Sequence, residues 1–393
     1  MAERRIVFLV QTPFSQRDYV RNGIAYLAEQ GIAVTVLDVS RLAMPRLTSV
    51  PECFEFPGMA LRIVDTPAKL AAESTTLAQA GVIVCHVGSG YVMPNSLGVL
   101  RAVARSGRPS LLTSINSQPY WRRKSGLADL KPGKLLDRLR TGGLTAALLN
   151  RLPMGLLGVK PFDYVVYGGR GSRAARRLVT GQTRVIAAHS MDYDVYLAER
   201  DTPRSEPERP YAVFIDQFIG YHPDDAMGMP QPENPKVFYV LLRRLFDRVE
   251  AELGLSVVIA AHPRADYSNK GDLFGGRQMV IGNTAALVHQ SRLVLTSFSI
   301  AIGYAVLFDK PTAMIATETM LRHPMVGDSI RLLNGELEVP LLRVDEEYRL
   351  DEVMTHPRSR FTAYAEDWIR AAGSPEQPLW QVIVRALERD GVL

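Results

Sequence analysis

The chain has 393 residues, of which 47% are hydrophobic and 22% are charged, the balance of an ordinary globular protein with a sizeable core. No apolar run approaches the roughly 20 residues of a membrane span, and no segment is of low complexity. The net charge of +5 suits anionic ligands or a membrane surface. Cys53 and Cys85 have neither metal-ligand nor disulfide spacing, so we expect a cytoplasmic protein.

The chain opens with the order strand, loop, helix, strand. Residues 5–10 predict a buried strand, residues 19–30 a helix and residues 32–39 the next strand, which is typical of a doubly wound α/β domain. The first loop lacks G-x-G-x-x-G, which disfavours a dinucleotide site. It contains Arg17 and Asp18. Asp18 is placed either to contact a ligand beyond the strand end or to complement the start of the helix.

Polar side chains follow the next two predicted strands. The strand over residues 81–87 carries His86 near its end, either as a ligand contact or as a histidine of the core. The strand over residues 109–115 leads into a polar loop with Asn116 and Gln118. Because ligands of parallel sheets bind beyond the carboxyl ends of the strands, all three are candidate contacts.

Three further segments precede the second half of the chain. Residues 122–160 are basic and leucine-rich, which fits either contact with an anionic membrane or a helical insertion with a solvated basic face. Glycines at 168–171 precede a helix predicted to extend to Val179, and they suit either a phosphate contact or a tight turn. Residues 199–210 are charged and proline-bearing, which predicts a linker.

A second α/β unit begins at Tyr211. Its first strand ends at Asp216 and Gln217, and residues 236–253 form an amphipathic helix that Gly254 should end. Asp216 could bind a ribose or base, act as a general base, or be a turn aspartate. A strand over 256–261 then leads to His262, Pro263 and Arg264.

The next strand ends in small hydroxyl side chains. Thr296, Ser297 and Ser299 follow an apolar strand and precede a helix, so they can bind phosphate or cap the helix. His262, fixed by the proline after it, can donate to a phosphate oxygen or protonate a leaving group. No His/Cys cluster has metal-ligand spacing, so no metal is expected, and the basic run lacks the interleaved aromatics of a nucleic-acid surface.

The chain therefore divides, by this interpretation, into two Rossmann-like doubly wound α/β domains facing across a cleft. Residues 1–198 form the N-terminal domain with the basic insertion 122–160, and residues 211–347 form the C-terminal domain after the 199–210 linker. Residues 348–393 are mostly helical and can pack back on the N-terminal domain. Beyond residue 330, loop and strand are predicted for residues 332–344.

This arrangement resembles the GT-B glycosyltransferases, and more narrowly the bacterial sialyltransferase-like enzymes that use CMP-activated ulosonic acids in surface-glycan synthesis. Their HP motif matches His262 and Pro263, and their serine motif matches Thr296 and Ser297, with Ser299 nearby. The resemblance implies that His262 contacts the CMP phosphate and assists its departure, while the hydroxyls bind that phosphate. The acidic motif that supplies the general base in that group is absent here.

The resemblance further implies inverting, metal-independent transfer of an ulosonic acid to a cell-surface glycan or glycoconjugate, with the nucleotide sugar as co-substrate, no cofactor and no nucleic acid. Asp18, Asp216 and Asp224 are candidate bases, in that order. Arg264, Asp216 and Gln217 complete the donor-binding candidates, and the acceptor-side candidates are Arg17, His86, Asn116 and Gln118. We expect a protein of the cytoplasm, and the basic segment leaves open a peripheral position at the inner face of the cytoplasmic membrane.

Three alternatives keep parts of this interpretation. The first is a transferase with a UDP-, GDP- or CDP-linked donor, and the second is a sugar-nucleotide epimerase of the same architecture. The third is a non-enzymatic nucleotide-sugar-binding scaffold of envelope assembly. Nucleotide binding separates the donor classes, and binding without turnover would favour the scaffold.

Overall fold

The structure, a computed structural model, describes residues 4–45, 55–115, 118–119, 143–173, 176–203, 209–221, 231–263 and 265–393. Asn116, Arg264 and Asp224 lie outside these ranges, as does the greater part of the basic insertion.

The N-terminal sheet contains seven parallel strands. It is built from continuous apolar runs, which are typical of strands buried on both faces. Its order, β3-β2-β1-β4-β5-β6-β7, is the doubly wound order extended by one strand. The strands are β1 Arg5–Val10, β2 Ala33–Asp38, β3 Met59–Ile63, β4 Val82–Cys85, β5 Ser110–Ser114, β6 Tyr164–Tyr167 and β7 Arg184–Ala187.

The C-terminal sheet contains six parallel strands in the order β10-β9-β8-β11-β12-β13, which repeats the same doubly wound pattern. In both sheets the strand order changes direction at the first strand, β1 or β8. Such a switch point opens a crevice at the carboxyl edge of the sheet. The α/β prediction is therefore confirmed. The strands are β8 Tyr211–Ile215, β9 Ser256–Ala261, β10 Met279–Ile281, β11 Leu293–Thr296, β12 Thr312–Ala316 and β13 Leu341–Arg343.

Helices cover both faces of each sheet, and separate apolar clusters fill the space between helices and strands. The helices are Gln16–Arg21, Ile24–Glu29, Ser40–Ala43, Pro67–Ala72, Ser74–Ala78, Leu97–Arg105, Gly143–Leu149, Met154–Leu157, Met191–Glu199, Pro235–Leu253, Thr284–Gln290, Ile302–Leu307, Glu318–Arg322, Val326–Leu337, Phe361–Tyr364 and Leu379–Arg389, with a π-helical turn over Ala365–Ile369.

The C-terminal tail contacts both halves. Phe361, Tyr364 and Ile369 join the core of the C-terminal sheet, whereas the last helix, Leu379–Arg389, joins the core of the N-terminal sheet. The backbone N–H of Ala371 donates to Ala188 O at 2.9 Å, which ties the crossing segment to the end of β7. The tail therefore fixes how the two sheets are placed relative to each other.

Three predicted elements differ from the structure. The helix predicted over residues 19–30 is two helices, because Gly23 takes a left-handed φ of 57° between them. The helix predicted to extend to Val179 is a short 3₁₀ turn, Arg170–Ser172, within the described residues. Residues predicted as loop after 332 continue the helix Val326–Leu337, whose apolar face packs into the core and outweighs the polar residues on the other side.

Candidate active site at the facing sheet edges

The carboxyl edge of the C-terminal sheet gathers the predicted donor-site residues. Thr296 is paired with Ile215, and Ile215 is paired with Ala260, so β9, β8 and β11 end side by side. His262, Asp216 and Ser297 therefore follow three neighbouring strands. Residues that are tens of positions apart in the chain come within one or two strand spacings of each other in the sheet, with Asp216 between the other two.

A tyrosine that sequence reasoning missed joins two of these residues. Tyr267 Oη accepts a hydrogen bond from the backbone N–H of His262 at 2.8 Å and donates to Asp216 Oδ2 at 2.7 Å. Burial and the neighbouring Asp216 raise the pKa of the Tyr267 phenol, which keeps it protonated as a donor. These two hydrogen bonds hold the backbone of His262 in position at the end of β9. No sequence motif signals this contact, because Tyr267 lies in a polar loop.

Asp216 is almost fully enclosed, with a relative exposure of 2%. Burial raises the pKa of its carboxyl to about 6, although the hydrogen bond from Tyr267 and two backbone N–H groups oppose the shift. Asp216 Oδ1 has no hydrogen-bond partner among the described residues. An enclosed carboxylate is poorly placed to take a proton from an incoming hydroxyl, and well placed to hold Tyr267.

The segment after β11 is held from the neighbouring strand. Gln217 Oε1 accepts the backbone N–H of Phe298 at 2.8 Å, which links the ends of β8 and β11. Thr296 Oγ1 lies 3.4 Å from Ile215 O, and Ser299 Oγ accepts the N–H of Ala301 at 3.3 Å. Ser299 therefore makes a turn contact at the approach to the helix Ile302–Leu307.

Ser297 and His262 differ in how they face the edge. Ser297 is buried and its hydroxyl has no partner within the described ranges. His262 is half-buried and Pro263 is exposed. Hydroxyl and imidazole donors at one sheet edge form a suitable surface for an oxyanion. A further buried pair missed from the sequence lies at the end of β12, where the Thr317 hydroxyl donates to Glu233 Oε2.

The carboxyl edge of the N-terminal sheet carries Asp18 and His86. Asp18 closes a capping box, because its Oδ2 accepts the backbone N–H and the hydroxyl of Ser15 at 3.0 and 2.7 Å. The helix-start interpretation of Asp18 is thus observed, and the side chain is still half-exposed. Burial lowers the pKa of His86 to about 4, while the nearby Asp18 carboxylate opposes this shift. His86 is therefore a neutral and weakly basic imidazole near Asp18 at neutral pH.

Asp192 links the first helix of the chain to the C-terminal half. Arg21 lies 3.4 Å from Asp192 Oδ1, and the Tyr304 hydroxyl lies 3.4 Å from the same oxygen. Burial and Asp192 raise the pKa of the Tyr304 phenol, and the charges of Arg21 and Arg17 oppose that shift. Arg17 and Asp18 belong to the same helix as Arg21, Gln16–Arg21, and the charges of Arg17 and Arg21 act on Tyr304 of the helix Ile302–Leu307. The carboxyl edges of the two sheets border one cleft.

The glycines at 169 and 171 serve packing of the tail. A Cβ at Gly169 would clash with the backbone carbonyl of Asp367, and one at Gly171 would lie 2.6 Å from the Trp368 ring. The tight-turn interpretation of this run therefore describes the structure better than a phosphate loop does. Within the described ranges, no group of three or more His, Cys, Asp or Glu is arranged to hold a metal ion.

Comparison with protein-family models gives no match, and comparison with curated sequences gives none either. Solved structures do match, over nearly the whole chain. The wall teichoic acid polymerase TagF is 13% identical with a TM-score of 0.52, covering 99% of this chain and 89% of its own. UGT2 of Phytolacca americana, solved with UDP-2-fluoro-glucose and pterostilbene, is 12% identical with a TM-score of 0.53, covering 99% of each chain.

The glycotransferase of kitacinnamycin is 12% identical with a TM-score of 0.51, covering 98% of each chain. At these identities the likeness concerns the fold. The chain has the GT-B fold: two Rossmann-like sheets whose carboxyl edges face each other, with a C-terminal tail that crosses between them.

Proposed function

We propose that this chain is an inverting glycosyltransferase that moves a sugar from a nucleotide donor to a glycan or glycoconjugate of the cell surface. The observation that carries the proposal is the convergence of His262, Asp216 and Ser297 at the carboxyl edge of the C-terminal sheet. Residues 211–347 would hold the donor, and residues 1–198 would hold the acceptor.

The donor phosphate would lie against the ends of β9 and β11. His262 and the hydroxyls of Thr296, Ser297 and Ser299 are its ligands in this proposal. Pro263 and Gln217 border the same edge, and Arg264, the next residue after Pro263, is a further candidate. Hydrogen-bond donors aimed at a phosphate stabilise the charge that develops when the bond to the sugar breaks. In this proposal the hydrogen-bond donors stabilise the phosphate charge without a metal ion.

The reaction breaks one C–O bond and forms another. The acceptor hydroxyl attacks the anomeric carbon from the face opposite the nucleotide, and the bond between that carbon and the phosphate oxygen breaks with its electron pair leaving on the phosphate. The hydroxyl proton passes to Asp18, the half-exposed acid of the facing edge. Asp216, which is enclosed, acts as a positioning residue for His262 through Tyr267.

Our preferred donor is a CMP-linked ulosonic acid, because the His262-Pro263 and Thr296-Ser297 pairs resemble the HP and serine motifs of the CMP-using enzymes. A UDP-linked sugar is the second candidate, because UGT2, with the same fold, was solved with UDP-2-fluoro-glucose. Epimerase and scaffold functions lack a specific observation in their favour.

The test is a nucleotide panel on the wild type and His262→Ala. CMP, CDP, UDP and GDP are compared by thermal shift, and the stabilising class then identifies the linked sugars for turnover assays. We expect CMP to raise the melting temperature most. In His262→Ala we expect a loss of about 10²–10³ in kcat, the usual cost of removing one donor from a developing oxyanion.

His356→Ala is the matched control, because His356 also precedes a proline but its Nε2–H donates to Glu338 O, away from the sheet edge. It should behave like the wild type. The proposal fails if no nucleotide stabilises the wild type, or if His262→Ala turns over as fast as His356→Ala.

A further inference from the structure

The positive charge of the chain is concentrated in one stretch. Residues 74–191, which include strands β4 to β7, contain seventeen lysines and arginines but only three acidic residues, Asp129, Asp137 and Asp163. Because the whole chain has 46 basic and 41 acidic residues, the remainder of it carries more acids than bases. Half of the N-terminal sheet thus belongs to a strongly basic stretch, which favours an anionic ligand on the side proposed to hold the acceptor.

Two arginines of this stretch meet at the carboxyl edge of the sheet. Arg176 Nη1 donates to Ser89 O at 2.6 Å and Nη2 donates to Ser114 Oγ at 2.7 Å, so the guanidinium joins the segments that end β4 and β5. Arg173 Cζ lies 6.0 Å from the centroid of the Tyr167 ring, at the end of β6. Burial raises the pKa of the Tyr167 phenol, and the charges of both arginines oppose this shift. Both arginines therefore lie near the same phenol.

The Arg176 side chain is held in place by the turn after β4. Gly90 has a φ of 85°, and a Cβ there would lie 2.8 Å from Arg176 Cδ, so the arginine packs where only a glycine leaves room. The backbone N–H of Leu178 donates to Gly90 O at 2.9 Å, which ties the segment after Arg176 to the same turn. The guanidinium is ordered by the fold, so a ligand does not bear the entropic cost of fixing it.

Within the described ranges, neither arginine forms an ion pair with a carboxylate. Arg170, which is close to them in the chain, is already paired with Asp367 of the tail. Asp163 directly precedes β6, so it lies at the opposite edge of the sheet, where it pairs with Lys160. Arg173 and Arg176 therefore place positive charge at the cleft that no described carboxylate neutralises by direct contact.

The two arginines are accessible. Arg176 is half-buried and Arg173 is exposed. The predicted acceptor contact Gln118 also follows β5, but it is buried and lines a small pocket with Ser190 and Trp368. The arginines are therefore better placed than Gln118 to contact a ligand in the cleft.

The guanidinium chemistry defines the class of ligand. The contacts of Arg176 use one N–H on each terminal nitrogen, and each of these nitrogens has a second N–H. Arginine binds phosphate and carboxylate groups through paired, charge-assisted hydrogen bonds. We propose that Arg173 and Arg176 form a subsite for an oxyanion group of the acceptor, a phosphate or a carboxylate. This inference rests on the proposed glycosyltransferase function, and it makes the acceptor an anionic glycan or glycoconjugate.

Isothermal titration calorimetry of the full chain tests the subsite. Glycerol 1-phosphate and methyl glucuronide are the anionic probes, and methyl glucoside is the neutral probe. The ionic strength is held constant, because salt screens exposed charges. We expect saturable binding of at least one anionic probe and none of the neutral probe. Arg176→Gln should weaken the anionic probe about tenfold, because charge-assisted hydrogen bonds are lost. Arg176→Lys, which keeps the charge but not the fork, should weaken it too.

Arg184→Gln is the matched control, because it removes the same charge from an arginine that already pairs with Asp390. It should bind the anionic probe like the wild type, so its difference from Arg176→Gln excludes any phosphate bound at the donor edge. Arg173→Gln changes an exposed position and should weaken binding by a smaller factor, which provides a test even if Arg176→Gln does not fold. The inference is overturned if no anionic probe binds, or if the Arg173 and Arg176 variants that fold bind like Arg184→Gln.

A lipid headgroup is another source of the same phosphate chemistry, and phosphatidylglycerol vesicles separate the two. If the Arg173 and Arg176 variants lose vesicle binding but keep the binding of glycerol 1-phosphate, these residues belong to a membrane surface and the acceptor subsite is overturned. The titrations contain no nucleotide, so they succeed or fail separately from the proposed function. Anion binding that depends on Arg176, without any nucleotide binding, would remove the transferase proposal and keep the anion site. Nucleotide binding without it would remove the subsite alone.

Discussion

At the scale of single residues, Asp216 shows how burial assigns a role. A carboxylate at a strand end is a candidate base in any α/β cleft, but this one is covered and hydrogen-bonded to Tyr267. Its raised pKa means that the folded protein prefers the protonated form more strongly than the unfolded chain does. The stability associated with Asp216 is therefore fully present below its ordinary pKa and is lost as the pH rises through about 6.

Asp216→Asn removes this titration and keeps an oxygen that can accept from Tyr267. The stability of the variant relative to the wild type should therefore increase by about 2–3 kcal/mol between pH 4 and pH 8, the equivalent of a two-unit shift. Urea unfolding at several pH values, followed by fluorescence, measures the difference.

Tyr267→Phe is the opposing control, because it keeps the carboxyl and removes a hydrogen bond that lowers its pKa. Its pH dependence should extend to higher pH than that of the wild type. Parallel stability curves for the wild type and Asp216→Asn would contradict the shifted pKa.

At the scale of elements, the first helical segment is broken so that the last helix can pack. Gly23 has a φ of 57°, and a Cβ there would lie 2.7 Å from the Trp380 ring. Trp380 belongs to the helix Leu379–Arg389, and its indole donates to Arg21 O in the same segment. Contact between the two ends of the chain thus depends on a residue without a side chain.

Gly23→Ala should lower the free energy of unfolding by about 2–4 kcal/mol, because it combines left-handed strain with overpacking against Trp380. Gly31→Ala is the matched control. Gly31 has a φ of 67°, and a methyl group added there would have no atom within 4 Å, so only the strain of about 1–2 kcal/mol applies. Chemical denaturation compares the two. If both variants lose the same free energy of unfolding, overpacking against Trp380 does not contribute to the cost of Gly23→Ala.

At the scale of the whole molecule, part of the basic insertion presents apolar residues to solvent. Leu148 and Leu156 are 60% and 76% exposed, on the short helices Gly143–Leu149 and Met154–Leu157. Exposed leucines within a basic segment suit adsorption to an anionic bilayer, which favours the membrane-contact interpretation of this segment. Within the described ranges, no helix has the length and apolar character needed to cross a membrane.

The double variant Leu148→Ser/Leu156→Ser should have an apparent affinity for phosphatidylglycerol vesicles about tenfold lower than that of the wild type. The reason is that two leucine side chains no longer leave water on adsorption. Ile281→Ser is the control, since Ile281 is 57% exposed on the edge strand of the other sheet. Sedimentation at several salt concentrations measures both. If the two variants pellet to the same extent, Leu148 and Leu156 do not contribute to membrane binding.

The strand pattern and the placement of His262 and Ser297 could be predicted from the sequence because they depend on neighbours along the chain. Continuous apolar runs make strands buried on both faces, and residues just after such runs must lie at the carboxyl edge. Helix ends were less predictable. The helix is interrupted at Gly23, where Trp380 from the other end of the chain packs against the backbone. No local sequence pattern indicates this contact.

The sequence by itself determined that two doubly wound sheets would form and that imidazole and hydroxyl groups would follow their strands, since hydrophobic periodicity is a local property. The tertiary structure decided which of these groups are covered and which are open. It buried Asp216 in a hydrogen bond with Tyr267, and it brought Gln118, Ser190 and Trp368 around one pocket. Burial and hydrogen-bond satisfaction depend on residues from distant segments, so they appear only once the chain has folded.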